Sequence, residues 1–177
     1  MKPPAVLETE RLVLRVPIPA DAQSIFDAYT QDPEVTRLLT FRPHQSIADA
    51  ERIIANSIAA WKQGQRFPYI ITLKDSGQVI GMLRLSIDRF KADLGYVLAR
   101  SFWGKGLMTE VVSSVIAWAF EQPGIFRVSA VCDVANVASA RVMEKAGMKC
   151  EGILRRYILH PNISDEPRDC YTYAATR

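Results

Sequence analysis

The sequence has little to hold a protein together other than packing. Its three cysteines, Cys132, Cys150 and Cys170, are odd in number and far apart, with no CxxC pair. They offer no disulfide framework and fit a reduced interior. Only two histidines occur, His44 and His160, so the usual Cys/His spacings of a zinc site are missing. No apolar run approaches the roughly 20 residues of a membrane helix. The opening Met1-Lys2-Pro3-Pro4 leads into charged residues, not the apolar core of a secretory signal. Lys and Arg total 22 against 19 Asp and Glu, a net charge of +3 with no long basic block. That balance suits an anionic ligand and argues against a nucleic-acid footprint. Together these absences point to a cytoplasmic protein without a metal, a membrane anchor or a nucleic-acid partner.

Repeats and low-complexity tracts are also lacking. With 49% apolar and 23% charged residues, the 177-residue chain has ordinary globular composition and the length of one domain, 1–177. Two phosphate-binding signatures fail. The P-loop string GxxxxGK(S/T) does not occur, and Thr109 stands where a dinucleotide fingerprint needs its third glycine.

What is present reads as alternating strands and helices. Leu12–Val16 is strand-like and is ended by Pro17 and Pro19. Asp21 is placed to N-cap a helix carrying Ile25, Phe26 and Tyr29, stopped by Asp32-Pro33. A polar loop follows to Pro43, and Ser46 caps a longer helix through Trp61 that Gly64 closes. Residues 69–73, 79–87 and 93–99 read as strands, with Asp75-Ser76-Gly77 as turn chemistry. Apolar residues recur at helical spacing from Leu107 to Phe120. Residues 126–132 form a strand, 136–146 a short helix with Gly147 at its C-cap, and 148–159 and 171–175 two closing strands around the loop 160–167. The strand–helix–strand passage through 93–132 implies one parallel crossover among antiparallel hairpins. The expected fold is an α/β (α+β) domain: a mixed, mainly antiparallel sheet of about six or seven strands flanked by about four helices.

The most informative stretch is Arg100-Ser101-Phe102-Trp103-Gly104-Lys105-Gly106, where a strand runs into two glycines and then a helix. Backbone N–H groups left unpaired at a helix N-terminus, at the positive end of its dipole, make a seat for a phosphate or pyrophosphate. Glycine allows close approach of the anion to the backbone. A second motif follows, Asn136-Val137-Ala138-Ser139-Ala140-Arg141-Val142-Met143-Glu144-Lys145-Ala146-Gly147-Met148-Lys149, with Glu151-Gly152 after it. Asn136 and Ser139 are three apart at a helix start and share a face.

Taken with Tyr96-Val97-Leu98 before the glycine loop and Glu8-Thr9-Glu10-Arg11-Leu12-Val13-Leu14-Arg15 at the start, these motifs resemble the GNAT N-acetyltransferases. The resemblance is to the branch of the ribosomal-protein N-terminal acetyltransferases RimJ and RimL, and it covers nearly the whole chain in order. It implies an acetyl-CoA-dependent N-acetyltransferase, with no metal, in which a neutral primary amine attacks the thioester directly. Gly104, Lys105, Gly106 and Leu107 would hold the pyrophosphate. The pantetheine arm would add to the edge of strand 93–99, where it splays from 126–132 and exposes backbone groups at Leu98 and Arg100. An N–H near Val97 or Leu98 would polarise the thioester carbonyl.

On the same resemblance, Asn136 would bind the pantetheine amide and Ser139 would protonate the departing sulfur; from the residues alone, Asn136 is equally a helix cap and Ser139 a space-filler. Arg141 and Lys145 are either ligands of the 3′-phosphate or a solvated helix face. Relatives in this branch often carry a general-base glutamate seven residues past the Glu-Gly pair, and Ile158 stands there. Asp93 is the substitute base, with a plain strand-end aspartate as its alternative; Tyr96 reads as packing, and His160 as a more remote candidate. The acceptor would be a protein N-terminus or a small amine, lying between the first two helices and the 160–167 loop, on a monomer or homodimer. The alternative function is a non-catalytic acyl-CoA-binding or protein-interaction module on the same fold.

Overall fold

A computed structural model describes residues 1–177. One eight-stranded sheet runs through it: β1 (Val6–Glu8), β2 (Leu12–Arg15), β3 (Arg66–Leu73), β4 (Val79–Asp88), β5 (Lys91–Leu98), β6 (Arg127–Asp133), β7 (Lys149–Ile158) and β8 (Arg168–Thr176). Their spatial order is β1-β2-β3-β4-β5-β6-β8-β7, and only β5 and β6 are parallel. The helices are α1 (Asp21–Ile25), continued by a wider turn over Phe26–Thr30, then α2 (Pro33–Thr36), α3 (Ile47–Gln63), α4 (Leu107–Glu121) and α5 (Val137–Lys145). No helix is long and apolar enough to cross a membrane.

The expected mixed sheet with one parallel crossover is present, with one strand and one helix more than the sequence suggested. The added strand β1 is three residues of edge hairpin, too short for alternation to show. The added helix α2 starts at the Asp32-Pro33 pair that reads as a stop. The Asp32 side chain accepts from the Glu34 N–H at 2.9 Å, and Pro33 occupies the first helical position, which is a start signal. Asp21 is not an N-cap. It is the first residue of α1, and its buried carboxylate accepts from both terminal nitrogens of Arg15 (2.8 and 2.6 Å) and from the Ile18 N–H (2.7 Å). Arg15 leaves β2 beside Ile70, on the face that α1 covers, so a tertiary ion pair took the residue that local capping would have used.

Two cores lie on the two faces of the sheet. On one face Val111, Val112, Val115 and Ala119 of α4, with Ala140 and Met143 of α5, pack on Leu83, Leu85, Leu94, Val128 and Ala130. The broad apolar stripe of α4 is explained by this cover, and each fully buried valine contributes about 1.5–3 kcal/mol. On the other face Ile25, Tyr29, Val35, Ala50 and Ile54 of α1, α2 and α3 pack on Ile70 and Val79, with Val97 against them. The sheet therefore separates α4 and α5 from α1, α2 and α3.

Candidate active site

The opening lies between β5 and β6. Their pairing runs from Lys91↔Arg127 to Leu94↔Ala130 and stops there, although β5 continues to Leu98 and β6 to Asp133. The outer edges stay engaged: β5 pairs with β4 as far as Gly81↔Leu98, and β6 with β8 as far as Asp133↔Cys170. A Cβ at Gly81 would collide with the Val97 carbonyl, so glycine there lets β4 follow β5 to the end. The result is a wedge between residues 95–98 and 131–133.

Backbone direction within β5 follows from three bonds. The Phe126 N–H donates to the Phe90 carbonyl (2.8 Å) and the Ser129 hydroxyl to the Ala92 carbonyl (3.3 Å), so even-numbered residues turn their backbone toward β6. The Ala99 N–H donates to Ile80 on β4 (2.8 Å), so odd-numbered residues turn the other way. Tyr96 and Leu98 thus present backbone groups to the wedge. Of the two positions Val97 and Leu98, only Leu98 turns its backbone to the wedge; Val97 has its backbone committed to β4 and its side chain in the core. The indole N–H of Trp103 donates to the Leu98 carbonyl at 2.7 Å, which leaves the Leu98 N–H as the donor facing the wedge.

Beyond β5, a single tight turn (Arg100–Phe102) leads into the glycines. Gly104 and Gly106 both have φ of +73°, and Gly106 is the residue from which α4 starts. None of the backbone N–H groups from Gly104 to Thr109 has an acceptor within the protein. Unpaired N–H groups thus stand where the sequence suggests, but a Cβ at Gly104 would meet no protein atom within 4 Å and one at Gly106 only Arg11, at 3.8 Å. Within the protein the glycines are required by their left-handed backbone, which costs other L-residues about 1–2 kcal/mol, and not by crowding from neighbouring side chains. Lys105 is exposed, with its ammonium 5.1 Å from the Phe102 ring centroid. Arg100 bonds Asp32 at 3.0 Å and ties the turn to the start of α2.

A clamp from the other end of the chain fixes this seat. Glu110, in the first turn of α4, accepts from the Thr9 hydroxyl (2.5 Å), the Arg11 N–H (2.9 Å) and Arg11 Nε (2.7 Å), and Arg11 Nη1 donates to the Lys105 carbonyl (3.1 Å). Burial would raise the Glu110 carboxyl, but the bonds from Thr9 and Arg11 outweigh it and hold it below the ordinary range. The guanidinium brings a positive charge to the edge of the seat. Sequence reasoning passes over this clamp because its halves lie about a hundred residues apart. The one local sign is an acidic residue in the first turn of a helix.

At the far side of the wedge, Asn136 caps α5, accepting from the Ser139 N–H at 3.0 Å. The Tyr96 hydroxyl lies 2.9 Å from Ser139 Oγ and 3.2 Å from the Ser139 carbonyl, to which it donates. Burial pushes the Tyr96 hydroxyl well above its ordinary range, so it stays protonated. Tyr96 is therefore more than packing: it orients the serine. Cys132, also beside Ser139, is no nucleophile, because burial pushes its thiol up to about 12. Asp93 stands apart from this group. It projects from the opposite face of β5 to Tyr96, at the closed end of the wedge opposite Ser129, and its carboxylate accepts from Arg84 at 2.7 Å. Arg141 and Lys145 are exposed, and Ile158 ends β7 opposite Arg168.

Comparison with known proteins bears on this arrangement. The family model for the acetyltransferase (GNAT) domain matches residues 11–149. The chain is 31% identical over 175 residues to the uncharacterized N-acetyltransferase YoaA of Bacillus subtilis, covering 97% of each. It is 26% identical over 169 residues to the ribosomal protein uS5-alanine N-acetyltransferase of Escherichia coli, covering 89% of this chain and 84% of that one. The fold matches that of the microcin C7 self-immunity acetyltransferase MccE, solved with acetyl-CoA and AMP, at a TM-score of 0.88 over 99% of this chain and 98% of that one, with 20% identity. The matched residues include the wedge, the glycine seat and the Asn136/Ser139 helix start, and the chain belongs to the GNAT acetyltransferase family.

Proposed function

We propose that the protein transfers an acetyl group from acetyl-CoA to a primary amine, with a protein N-terminus as the acceptor. One observation carries the reading: the unpaired N–H groups of Gly104 to Thr109 open onto a wedge whose sides offer the Leu98 N–H and the Tyr96–Ser139 hydroxyl pair. The donors suit a pyrophosphate, and the exposed strand edge suits a peptide-like pantetheine arm. The Leu98 N–H would stabilise charge growing on the thioester oxygen. Tyr96 holds Ser139 Oγ at 2.9 Å, in place for the serine proton to pass to the departing sulfur. The inert Cys132 thiol favours direct attack by the amine over a covalent acetyl-enzyme. The activity of the uS5-alanine enzyme among the relatives favours an N-terminal acceptor. The hydroxyl pair weighs against a non-catalytic acyl-CoA-binding module, which would have no use for a proton donor at the sulfur.

The test is calorimetric titration with acetyl-CoA, CoA and ATP, then transfer assays on peptides beginning with alanine or serine. Binding of both CoA species but not ATP, with free CoA released only when a peptide is present, is the expected result. Binding without transfer to any amine would leave the non-catalytic module standing.

A further inference from the structure

Buried polar side-chain atoms without a partner fall in one part of this molecule. They are the hydroxyls of Tyr29 and Thr30, Nδ1 of His44, and both ring nitrogens of His160. His44 and His160 belong to two segments that Asn162 fastens together, its amide donating to the Thr36 and Phe41 carbonyls, both at 2.8 Å. Burying such groups unpaired is unfavourable, and each one calls for a water or a ligand. His160 is the extreme case, 3% exposed with neither nitrogen satisfied.

Its surroundings give it a task. His160 Nε2 lies 3.7 Å from Oδ2 of Asp133, the last residue of β6 and so the open end of the wedge. Asp133 is itself fixed: it accepts from Arg168 Nε (2.6 Å) and Nη2 (3.1 Å) and from the Ala135 N–H (2.8 Å). The charged group facing the imidazole is thus Asp133 of β6, around which stand Arg168 and Cys170 of β8, while the 36–41 segment offers Asn162 backbone carbonyls. Side chains alternate along β6. Cys132 lies under α4 and α5 with Ser139, so Asp133 and its histidine lie on the face of α1, α2 and α3. A thioester in the wedge would have Ser139 on one face and His160 on the other.

Resting on the functional reading above, we propose that His160 is the proton acceptor for the amine, working through one water, and that Asp133 is the residue that positions it. The ammonium gives one proton to the neutral imidazole. The freed lone pair forms the C–N bond at the thioester carbon, and the C–S bond breaks with its electron pair on sulfur. Sulfur takes a proton from Ser139, which is replaced by the proton the amide nitrogen loses. His160 then releases its proton to solvent. Asp133, 3.7 Å from Nε2, draws the ring toward it by charge while the ring is protonated. Ile158, two residues upstream, needs no carboxylate in this arrangement.

The experiment compares wild type, His160→Gln and Asp133→Asn in steady-state transfer to alanine- and serine-initiated peptides from pH 6 to about 10, with acetyl-CoA affinity and Tm measured for each. His160→Gln should lower kcat at neutral pH by about 10²- to 10⁴-fold, leave acetyl-CoA affinity unchanged, and recover activity as rising pH supplies free amine. Asp133→Asn should lower kcat in the same sense. If His160→Gln fails to fold, the wild type still decides. Its two histidines give two imidazole signals by NMR, and the one surviving in His44→Gln must titrate in parallel with kcat/KM. An active wild type with an unchanged pH profile in His160→Gln, or with an imidazole that does not follow the rate, overturns the proposal alone. A wild type that binds acetyl-CoA and acetylates neither peptide overturns the functional reading and the proposal together.

Discussion

Gly106 allows the phosphate seat to be tested against its nearest competitor. Its φ of +73° starts α4, and a Cβ there would meet only Arg11 Nη2, at 3.8 Å, an ordinary contact. Within the protein, space therefore does not forbid a side chain; conformation does. An L-residue held in the left-handed region loses about 1–2 kcal/mol, and asparagine loses less because its short amide bonds locally. If Gly106→Ala keeps the seat, stability falls by about that amount. If it escapes by turning φ negative, the N–H groups swing away and affinity falls, by roughly 5- to 30-fold if the same energy is lost to binding. Gly106→Asn should be milder in both respects. Were the glycine there only to admit the anion, the ranking would reverse, because asparagine is the bulkier residue. Calorimetry with acetyl-CoA and thermal melting of both variants decide the matter. An Asn variant binding more weakly than the Ala variant, at equal or higher Tm, refutes the conformational argument.

Other perturbations separate the parts of the site. Arg11→Gln should weaken acetyl-CoA up to about fivefold, the range of a half-exposed charge contact, and leave S-acetylpantetheine, which lacks the pyrophosphate, unaffected; equal losses for both ligands would mean that the clamp merely stabilises the fold. Ser139→Ala should keep acetyl-CoA affinity and lower kcat by about 10²-fold, with Tyr96→Phe changing kcat in the same direction; unchanged turnover in both would remove the sulfur-protonation role. Stability should fall in acid through Glu110 and Asp133. In each, burial opposes ionisation, but hydrogen bonds from Thr9 and Arg11, or from Arg168 and Ala135, hold the carboxyl below its usual 4.5 or 3.8. Lowered folded values mean stability that is full above the ordinary values and lost as pH falls through the lower ones. Tm should therefore hold down to about pH 5 and drop below about pH 4, with a shallower drop in Glu110→Gln, as melting curves across pH would show.

Residue order and pattern are enough to specify the sheet's central strands, the parallel crossover, the glycine turn before α4 and the Asn136/Ser139 helix start. Each of these is written in neighbouring residues: alternation, helical spacing, glycines before a helix, and a cap three residues from its donor. The same locality explains what it misjudged, since Asp32-Pro33 stops one helix and starts the next, and β1 is too short to alternate visibly. Tertiary structure alone decided which backbone groups face the wedge, because that depends on which neighbour each residue of β5 pairs with. It alone set Tyr96 against Ser139, Glu110 against Arg11 and Thr9, and Asp93 on the face away from both hydroxyls. It also brought His160 back from the end of β7, across β8, to Asp133 at the tip of β6. Pairs that lie tens of residues apart leave no period in a sequence, and only the order in which the strands assemble makes them neighbours.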